Sequence, residues 1–257
     1  MPALSVEIVP CLTDNYAYLI ADREAGTAAV VDPAEAEPVA EALERRGLKL
    51  THILATHHHS DHTGGVLGLK DRFGARIVGP AREAARIPGL DLAVSEAQGF
   101  ALFGRRVAVL ETPGHTSGSV CYGIEDLLFA GDTLFVMGCG RLFEGDAATM
   151  HASLAKIAAL SDDTLVYCGH EYALADARFA LALEPENADV RAYAEEIAAL
   201  RENGRPAMPA VLGIEKRANP FLRTHDPALK AALNMANAPA AAVLAEVRRR
   251  KDAFVGP

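Results

Sequence analysis

The sequence predicts an α+β fold, with a strand-rich core over residues 1–172 and a helical segment over residues 173–257. Short apolar or alternating runs, separated by turn residues, recur as far as position 167 and are typical of strands. After residue 172 the chain becomes Ala-rich, is interrupted by prolines and shows no strand of any length. The 257 residues, 50% of them hydrophobic, suffice for one large domain or for a core with a smaller appendage.

The predicted elements follow one another in a regular order. Apolar runs predict strands at residues 6–9, 16–20, 28–31, 52–55, 76–78, 107–110, 120–124, 127–130 and 164–167. An Ala/Glu-rich stretch at 33–46, closed by Gly47, predicts a helix, and a second helix is expected at 149–160. Residues 204–224 contain Pro and Gly but also several apolar side chains, which indicates an ordered connection and not a flexible linker.

Composition excludes several classes of protein. A formal net charge of −9 is unfavourable for general nucleic-acid binding, and no apolar run approaches the about 18 residues of a membrane helix. The first twenty residues lack a basic region and carry Glu7 and Asp14, unlike a signal peptide. The four cysteines form no CxxC pair, which is typical of buried thiols in a reducing compartment. We therefore expect a cytoplasmic monomer that binds neither membranes nor nucleic acids.

The segment THHHSDH at 56–62 carries the strongest chemical signal. It places four imidazoles and a carboxylate within six positions, directly after an apolar strand. In extended chain, His57 and His59 share one face, whereas Asp61 and His62 lie beyond a turn. Such a loop can present one pair of ligands to one metal ion and a second pair to another. A merely solvated His-rich loop is the alternative, and the strand before it and the Gly-Gly after it disfavour that alternative.

Three further candidate ligands follow strand ends. His115, Asp132 and His170 each stand near a glycine just after a predicted strand. One such residue alone would be unremarkable, but the ends of neighbouring strands converge on one edge of a sheet, where composite sites form. The count therefore predicts a dinuclear site. One ion would take His57, His59 and His115, the other would take Asp61, His62 and His170, and Asp132 would bridge both.

This ligand set predicts hydrolytic chemistry. Nitrogen and oxygen donors without thiolate favour two divalent ions, most of all zinc, and also accept iron or manganese. Bound metal lowers the pKa of water towards about 7, so a metal-bridging hydroxide could attack a carbonyl at neutral pH. Asp132 is the catalytic bridge in this hypothesis. Asp61 is a candidate acceptor for the hydroxide proton, although a metal ligand is a weak base.

THHHSDH resembles the THxHxDH motif of the metallo-β-lactamase superfamily, and the whole chain is similar to its glyoxalase II (hydroxyacylglutathione hydrolase) branch. The motifs that carry the likeness are DNYAYL (14–19), PGHT (113–116), AGDTLF (130–135), GCGR (138–141), CGHEY (168–172), EPEN (184–187), NPFLR (219–223) and RRKDAF (249–254). The resemblance implies a four-layer αββα sandwich with a C-terminal helical domain. It also implies hydrolysis of S-D-lactoylglutathione, and of related 2-hydroxyacylglutathiones, to glutathione and D-lactate.

The resemblance also implies a substrate pocket. Family residues that match Arg141, Tyr172, Arg248 and Lys251 bind the glutathione part. The family often has Lys in place of Arg141 and Tyr in place of Phe143, so we expect weaker glutathione binding with the chemical step intact. Without the resemblance, the basic run at 248–251 would be typical of solvated charge at a helix C-terminus.

Two questions stay open at this point. Asp32 either supports a ligand histidine or caps the helix after Pro33, and the sequence favours the cap or a plain strand-end role. For function, the main alternative is a persulfide dioxygenase, which would use one iron and share His57, His59, His115 and Asp132. Lactonase or β-lactamase activity is a weaker alternative, because neither requires a basic pocket for glutathione.

Overall fold

The computed structural model describes residues 4–255 and consists of two six-stranded sheets packed face to face, with helices on both outer sides. The first sheet has the spatial order β1 (Ser5–Cys11), β2 (Asn15–Asp22), β3 (Thr27–Val31), β4 (Lys49–Leu54), β5 (Arg76–Pro80) and β6 (Leu92–Val94). Its outer face is covered by α1 (Ala36–Arg46) and α3 (Val66–Phe73), and the short helix α2 (Ser60–Thr63) precedes α3. This half forms two of the four layers.

The second sheet runs in the order β7 (Phe100–Leu102), β8 (Arg105–Glu111), β9 (Val120–Ile124), β10 (Leu127–Gly131), β13 (Leu165–Cys168) and β14 (Ala210–Val211). A separate hairpin consists of β11 (Leu134–Phe135) and β12 (Gly138–Cys139). The helices of this half are α4 (Ala147–Ala158), α5 (Ala173–Leu183), α6 (Ala188–Glu202), α7 (Leu212–Ala218), α8 (Pro227–Ala232) and α9 (Ala240–Asp252). Within residues 4–255 the longest helix, α6, has 15 residues, and none is long and apolar enough to cross a bilayer.

Alternation along the strands explains the two hydrophobic layers. Because successive side chains of a strand point to opposite faces, Tyr18 of β2 faces the second sheet while its neighbour Leu19 faces α1. The ring of Tyr18 lies 5.7 Å from that of Phe129 and 5.1 Å from that of Tyr167, between the sheets. Leu19 belongs to the outer cluster with Leu43 of α1. The sheet is therefore apolar on both faces, and its strands read as nearly continuous apolar runs.

Strand direction gathers the functional residues at one edge. Strands β10 and β13 are parallel, and β9 is antiparallel to both β8 and β10, so β8, β10 and β13 all end at the same edge. In the first sheet, β4 is parallel to β3 and β5. The loop after β4 reaches the edge where β8, β10 and β13 end. There the Val120 amide donates a backbone hydrogen bond of 3.0 Å to the Thr56 carbonyl.

The predicted fold class is confirmed, and each predicted strand and helix is present. The helix expected at 33–46 begins later, at Ala36, and the helix expected at 149–160 spans Ala147–Ala158. The connection at 204–224 is ordered and contains β14 and α7. The short elements α2, β6, β7, β11, β12 and β14 were not predicted, nor was helix α3.

Candidate metal centre

The seven predicted ligands lie together at the open edge of the sandwich. His57 and His59 occupy the loop after β4, and Asp61 and His62 lie in helix α2. His115 follows β8, Asp132 follows β10 and His170 follows β13. The fold thus brings seven side chains close together: His57, His59, Asp61, His62, His115, Asp132 and His170.

One set of ligands consists of three imidazoles. Nε2 of His57 and Nε2 of His115 each lie 3.1 Å from Nδ1 of His59. Nitrogens this close, aimed at a common point, form the arrangement expected around one cation. His57 and His115 are buried, while His59 is partly exposed towards the cavity described below.

The second set combines two imidazoles with a carboxylate. Nε2 of His62 and Nε2 of His170 are 3.3 Å apart. Oδ2 of Asp61 lies 3.6 Å from the first and 3.3 Å from the second. The Asn15 amide donates to the same Asp61 oxygen at 3.1 Å and to the Asp61 carbonyl at 3.0 Å, which holds the carboxylate in place.

Asp132 lies between the two sets. Its Oδ2 is 3.4 Å from Nε2 of His115, in the first set, and 3.4 Å from Nε2 of His170, in the second. Its Oδ1 is 3.4 Å from Nε2 of His62, and this buried oxygen accepts no hydrogen bond from the residues at 4–255. A buried carboxylate oxygen without a donor carries a large free-energy cost unless a cation is present. The donor set and this oxygen therefore fit a dinuclear divalent metal site.

The far side of each imidazole determines which nitrogen is free for a metal. His115 donates from Nδ1 to the Arg141 carbonyl at 2.9 Å, and His170 donates from Nδ1 to Asp14 at 2.8 Å. His62 donates from Nδ1 to Asp32 at 3.1 Å. In the neutral form each of these rings therefore carries its proton on Nδ1, since the partner on the outer side can only accept, and Nε2 is the nitrogen that a metal ion would bind.

Asp32 supports both sets of ligands. Its carboxylate accepts from the Thr56 amide at 2.7 Å and from the Thr56 hydroxyl at 2.6 Å, besides its bond to His62. Because that hydroxyl proton is committed to Asp32, the Thr56 oxygen accepts from Nδ1 of His57, 3.0 Å away. One carboxylate thus orients a ligand of each set.

The helix-cap role favoured for Asp32 is therefore wrong. Helix α1 begins at Ala36, its N-cap is Glu35, and no side chain caps it. Asp32 is buried and adopts a left-handed backbone conformation, φ 49°, which is uncommon outside glycine. Such a conformation at a non-glycine residue is typical of functional sites, and here it accompanies the contacts to Thr56 and His62.

The electrostatics of the two sets differ. Burial lowers the pKa of His57, His59 and His115, so these imidazoles are neutral at pH 7, the form that binds metals. Burial also opposes a charge on His170, but hydrogen bonds to Asp132 and Asp61 outweigh it and raise the pKa of His170 to about 10. The second set therefore holds a proton that a cation would displace.

Glycine at 169 allows the strand ends to approach the centre. A Cβ at this position would lie 2.3 Å from Oδ1 of Asp132 and 2.6 Å from Cε1 of His62. No side chain fits between β13 and these two ligands, so the backbone before His170 has to be glycine.

A cavity of about 490 Å³ opens from the metal centre towards the C-terminal helices. The five residues that the resemblance assigned to substrate all line it: Arg141, Phe143, Tyr172, Arg248 and Lys251. The ring of Tyr172 stacks on His170 with centroids 4.8 Å apart, and the ring of Phe143 lies 5.2 Å from that of His115. Aromatic rings thus flank the centre on two sides, and three cations, Arg141, Arg248 and Lys251, line the same cavity.

Two of the cations in the cavity have acidic partners. Arg248 donates to the Cys139 carbonyl at 2.9 Å and pairs with Asp252 at 2.7 Å. Lys251 pairs with Asp176 at 2.6 Å. Burial raises the pKa of the Asp176 carboxyl, and the Lys251 ammonium opposes that shift. Neither acidic partner was predicted. Asp176 lies 75 positions from Lys251 in the chain, whereas Asp252 follows Arg248 at the i,i+4 spacing of a helical ion pair.

His58, the remaining histidine of THHHSDH, points away from the centre. Its Nδ1 lies 2.9 Å from Glu83, whose buried carboxylate also accepts from the Gly118 amide at 3.1 Å and from the Thr116 hydroxyl. Glu83 therefore ties the loop of His57 and His59 to the loop of His115. Sequence reasoning missed Glu83, Asp14 and Asn15 as supporting residues, although the DNYAYL motif contains the last two.

Comparison with known proteins agrees with this geometry. The metallo-β-lactamase superfamily model matches residues 12–170, and the model for the hydroxyacylglutathione hydrolase C-terminus matches residues 171–254. A hydroxyacylglutathione hydrolase of Rhizobium meliloti (strain 1021) is 52% identical over 99% of this chain and 100% of the relative.

Solved structures show the same fold. The crystal structure of ETHE1 from Myxococcus xanthus has a TM-score of 0.66 and 27% identity, over 98% of this chain and 99% of that one. TTHA1623 in a di-iron-bound form has a TM-score of 0.58 and 26% identity, over 85% of this chain and 100% of that one. Together with the two family models, which between them match residues 12–254, these likenesses show that this chain belongs to the hydroxyacylglutathione hydrolase (glyoxalase II) family of the metallo-β-lactamase superfamily.

Proposed function

We propose that this protein hydrolyses S-D-lactoylglutathione and related 2-hydroxyacylglutathiones to glutathione and D-lactate. One observation carries the proposal: ligands of both sets, with Asp132 between them, line the same cavity as Arg141, Arg248 and Lys251. A metal centre beside fixed cations suits an anionic thioester. The names of full-length relatives support the same activity.

We propose that His57, His59 and His115 bind one ion, that Asp61, His62 and His170 bind the other, and that Asp132 binds both. Bound there, two divalent ions would supply a water of lowered pKa, about 7, and a Lewis acid for the thioester carbonyl. Zinc is our choice for the native ion, since no cysteine belongs to these ligand clusters within residues 4–255. The di-iron form of TTHA1623 supports two ions, and it makes iron the first competitor, ahead of manganese.

The chain's own residues bind and orient the substrate in this proposal. Arg141, Arg248 and Lys251 attract its carboxylates, while Phe143 and Tyr172 pack beside the reacting thioester. Asp132, which lies between the two ligand sets, fixes their positions relative to each other. Hydrogen bonding from His170 holds the pKa of Asp61 well below its usual range, so Asp61 serves as a ligand and accepts a proton only weakly.

The persulfide dioxygenase alternative is not favoured, since relatives about half identical over the full length are named hydroxyacylglutathione hydrolases. Lactonase and β-lactamase activities are likewise not favoured.

We further propose that residues 1–172 act as the catalytic domain and 173–257 as the substrate-binding domain, in a cytoplasmic monomer without nucleic-acid partners. The matched boundary of the two family models, at 170 and 171, supports this division.

The test is hydrolysis of S-D-lactoylglutathione by the purified protein, followed as loss of thioester absorbance. We expect turnover that a chelator abolishes and that added Zn²⁺ restores, with two metal ions per chain by elemental analysis. Restoration by Fe²⁺ or Mn²⁺ alone would change the assignment of the metal. No turnover in the protein with two ions bound would overturn the proposed substrate, and oxygen consumption with glutathione persulfide would then favour the dioxygenase.

A further inference from the structure

Lys251 is held by its neighbours and is not free in the cavity. Its Nζ lies 2.6 Å from Oδ1 of Asp176 and donates to the Ala175 carbonyl at 3.2 Å. The same Nζ stands 5.6 Å from the centroid of the Phe179 ring. Only 16% of the Lys251 side chain and 6% of the Asp176 side chain are exposed. The ammonium therefore has three fixed partners, all from helix α5.

Arg141 provides the contrast. Within residues 4–255 its guanidinium has no acidic partner at ion-pair distance, and the residue is exposed and lines the same cavity. The cavity therefore presents one unpaired cation and two cations, Arg248 and Lys251, that are already matched by carboxylates. Asp176 differs from Asp252 in being buried, so solvent screens its charge far less.

We propose that Asp176 is a specificity-determining residue that weakens the binding of the substrate's carboxylate by neutralising Lys251. The inference rests on the proposed function and deepens it. A carboxylate arriving at Lys251 also meets the Asp176 carboxylate, 2.6 Å from the ammonium and on the lining of the same cavity, and repulsion between the like charges cancels much of the attraction. Because the glutathione released by hydrolysis carries the same carboxylates, Asp176 weakens product binding too.

Replacement of Asp176 by asparagine tests the effect of its negative charge alone. Asp176→Asn keeps an oxygen that accepts from Lys251 and a side chain of the same shape, while it removes the negative charge. We expect KM for S-D-lactoylglutathione to fall about tenfold with little change in kcat, since binding of ground state and transition state improves equally. The Kd of glutathione, measured calorimetrically without any turnover, falls by a similar factor.

The matched control is Asp162→Asn. Asp162 makes the same kind of contact, with its Oδ1 2.6 Å from Nζ of Lys216, but it is exposed and does not line the cavity. This variant keeps the KM and the glutathione Kd of the original protein. A thioester whose glutathione carboxylates are esterified is the second control, and its KM in Asp176→Asn stays unchanged, because the effect requires the anionic group.

The outcomes separate this inference from the proposed function. Absence of turnover in the original protein contradicts the proposed function, whereas turnover there with an unchanged or raised KM in Asp176→Asn contradicts the role of Asp176. A raised KM would mean that Asp176 positions Lys251 or contacts a cationic group of the substrate. If Asp176→Asn folds poorly, Asp176→Ser, which is smaller and also neutral, tests the same charge, and an unchanged glutathione Kd in that variant overturns the inference.

Discussion

Asp132 is the residue that joins the two ligand sets. Its carboxylate oxygens lie 3.4 Å from His62, His115 and His170, so in the proposed dinuclear site loss of the side chain would remove one ligand from each ion. For Asp132→Ala we expect kcat to fall by at least about 10³-fold and the metal content to fall below two ions per chain. Thioester turnover and elemental analysis measure these changes.

A control variant exists at the other end of the same strand. Asp126→Ala removes an exposed carboxylate just before β10 and keeps both activity and metal content. Turnover of Asp132→Ala close to that of Asp126→Ala would contradict the dinuclear hypothesis.

Phe143 lines the cavity with a side chain that is 61% exposed. The family often has tyrosine here, so a hydroxyl in this position would contribute a hydrogen bond to the substrate, worth about 1 kcal/mol. We expect Phe143→Tyr to lower KM about fivefold with kcat unchanged. Steady-state kinetics test this expectation, with Phe73→Tyr on α3 as the control outside the cavity. An equal KM in Phe143→Tyr and the original protein would show that the missing hydroxyl does not weaken binding.

At the residue scale, the role of a side chain could be predicted where its sequence context allows only one interpretation. The seven candidate ligands could be predicted because His and Asp recur at strand ends in a pattern that metal chemistry explains. Asp32 could not, since an Asp before a helix is also a good cap, and only the fold shows its bonds to Thr56 and His62. Asp176 was missed because its partner, Lys251, is 75 positions away in the chain.

At the scale of elements, Glu215 joins helix α7 to the hairpin β11–β12. Its Oε2 accepts from the Met137 amide and from the Asn219 side chain, each at 2.9 Å, and its Oε1 accepts from the Tyr193 hydroxyl at 2.8 Å. Asn219 in turn donates to the Phe135 carbonyl at 3.1 Å. The Glu215 side chain is fully buried, and burial raises the pKa of Glu215 to about 7.

This shift has a defined effect on stability. The folded protein keeps the Glu215 proton up to about pH 7, whereas the unfolded chain loses it near the ordinary glutamate pKa of 4.5. The protonated Glu215 carboxyl therefore contributes fully to the free energy of unfolding below pH 4.5. As the pH rises to 7, this contribution falls by up to about 3 kcal/mol. We expect Glu215→Gln to remove this contribution, because the amide oxygen replaces Oε2 and the amide nitrogen can donate to Tyr193.

Urea unfolding between pH 5 and 8 measures the effect. The decline in the free energy of unfolding with pH should be smaller in Glu215→Gln than in the original protein. Glu246→Gln, on α9, should retain the full decline, because hydrogen bonds from Arg249 and Arg250 lower the pKa of Glu246 to about 2, below this pH range. Identical pH dependence in Glu215→Gln and the original protein would mean that Glu215 is ionised across this range.

Apart from helix α3, the elements that were not predicted are the short ones. Helix α2 has four residues, and β11, β12 and β14 have two each, which is too short for a periodic pattern. Their conformations depend on tertiary contacts, as when Leu165 of β13 pairs with Val211 of β14 across 46 positions. The longer strands were predictable because burial on both faces, as in β2, gives a continuous apolar run, and burial on one face, as in β8, gives an alternating one.

At the scale of the molecule, composition and pattern predicted an α+β core with a helical C-terminal segment. They could not predict the order of strands in two sheets, since pairing between distant segments leaves little trace in a single sequence. The four-layer sandwich came from the resemblance, and the structure confirms it. The bridge between Asn15 and His170, 155 positions apart, shows how far the closure of the site depends on long-range contacts.

The pairing of β13 with β14 has a consequence for the integrity of the chain. Strand β14 comes from the C-terminal segment, yet it covers the edge of the sheet that carries His170. A chain cut after residue 172 would leave β13 as an open edge, with unpaired amides and carbonyls available to another molecule. The C-terminal segment thus completes the sheet of the preceding segment, and its removal would expose the edge of that sheet.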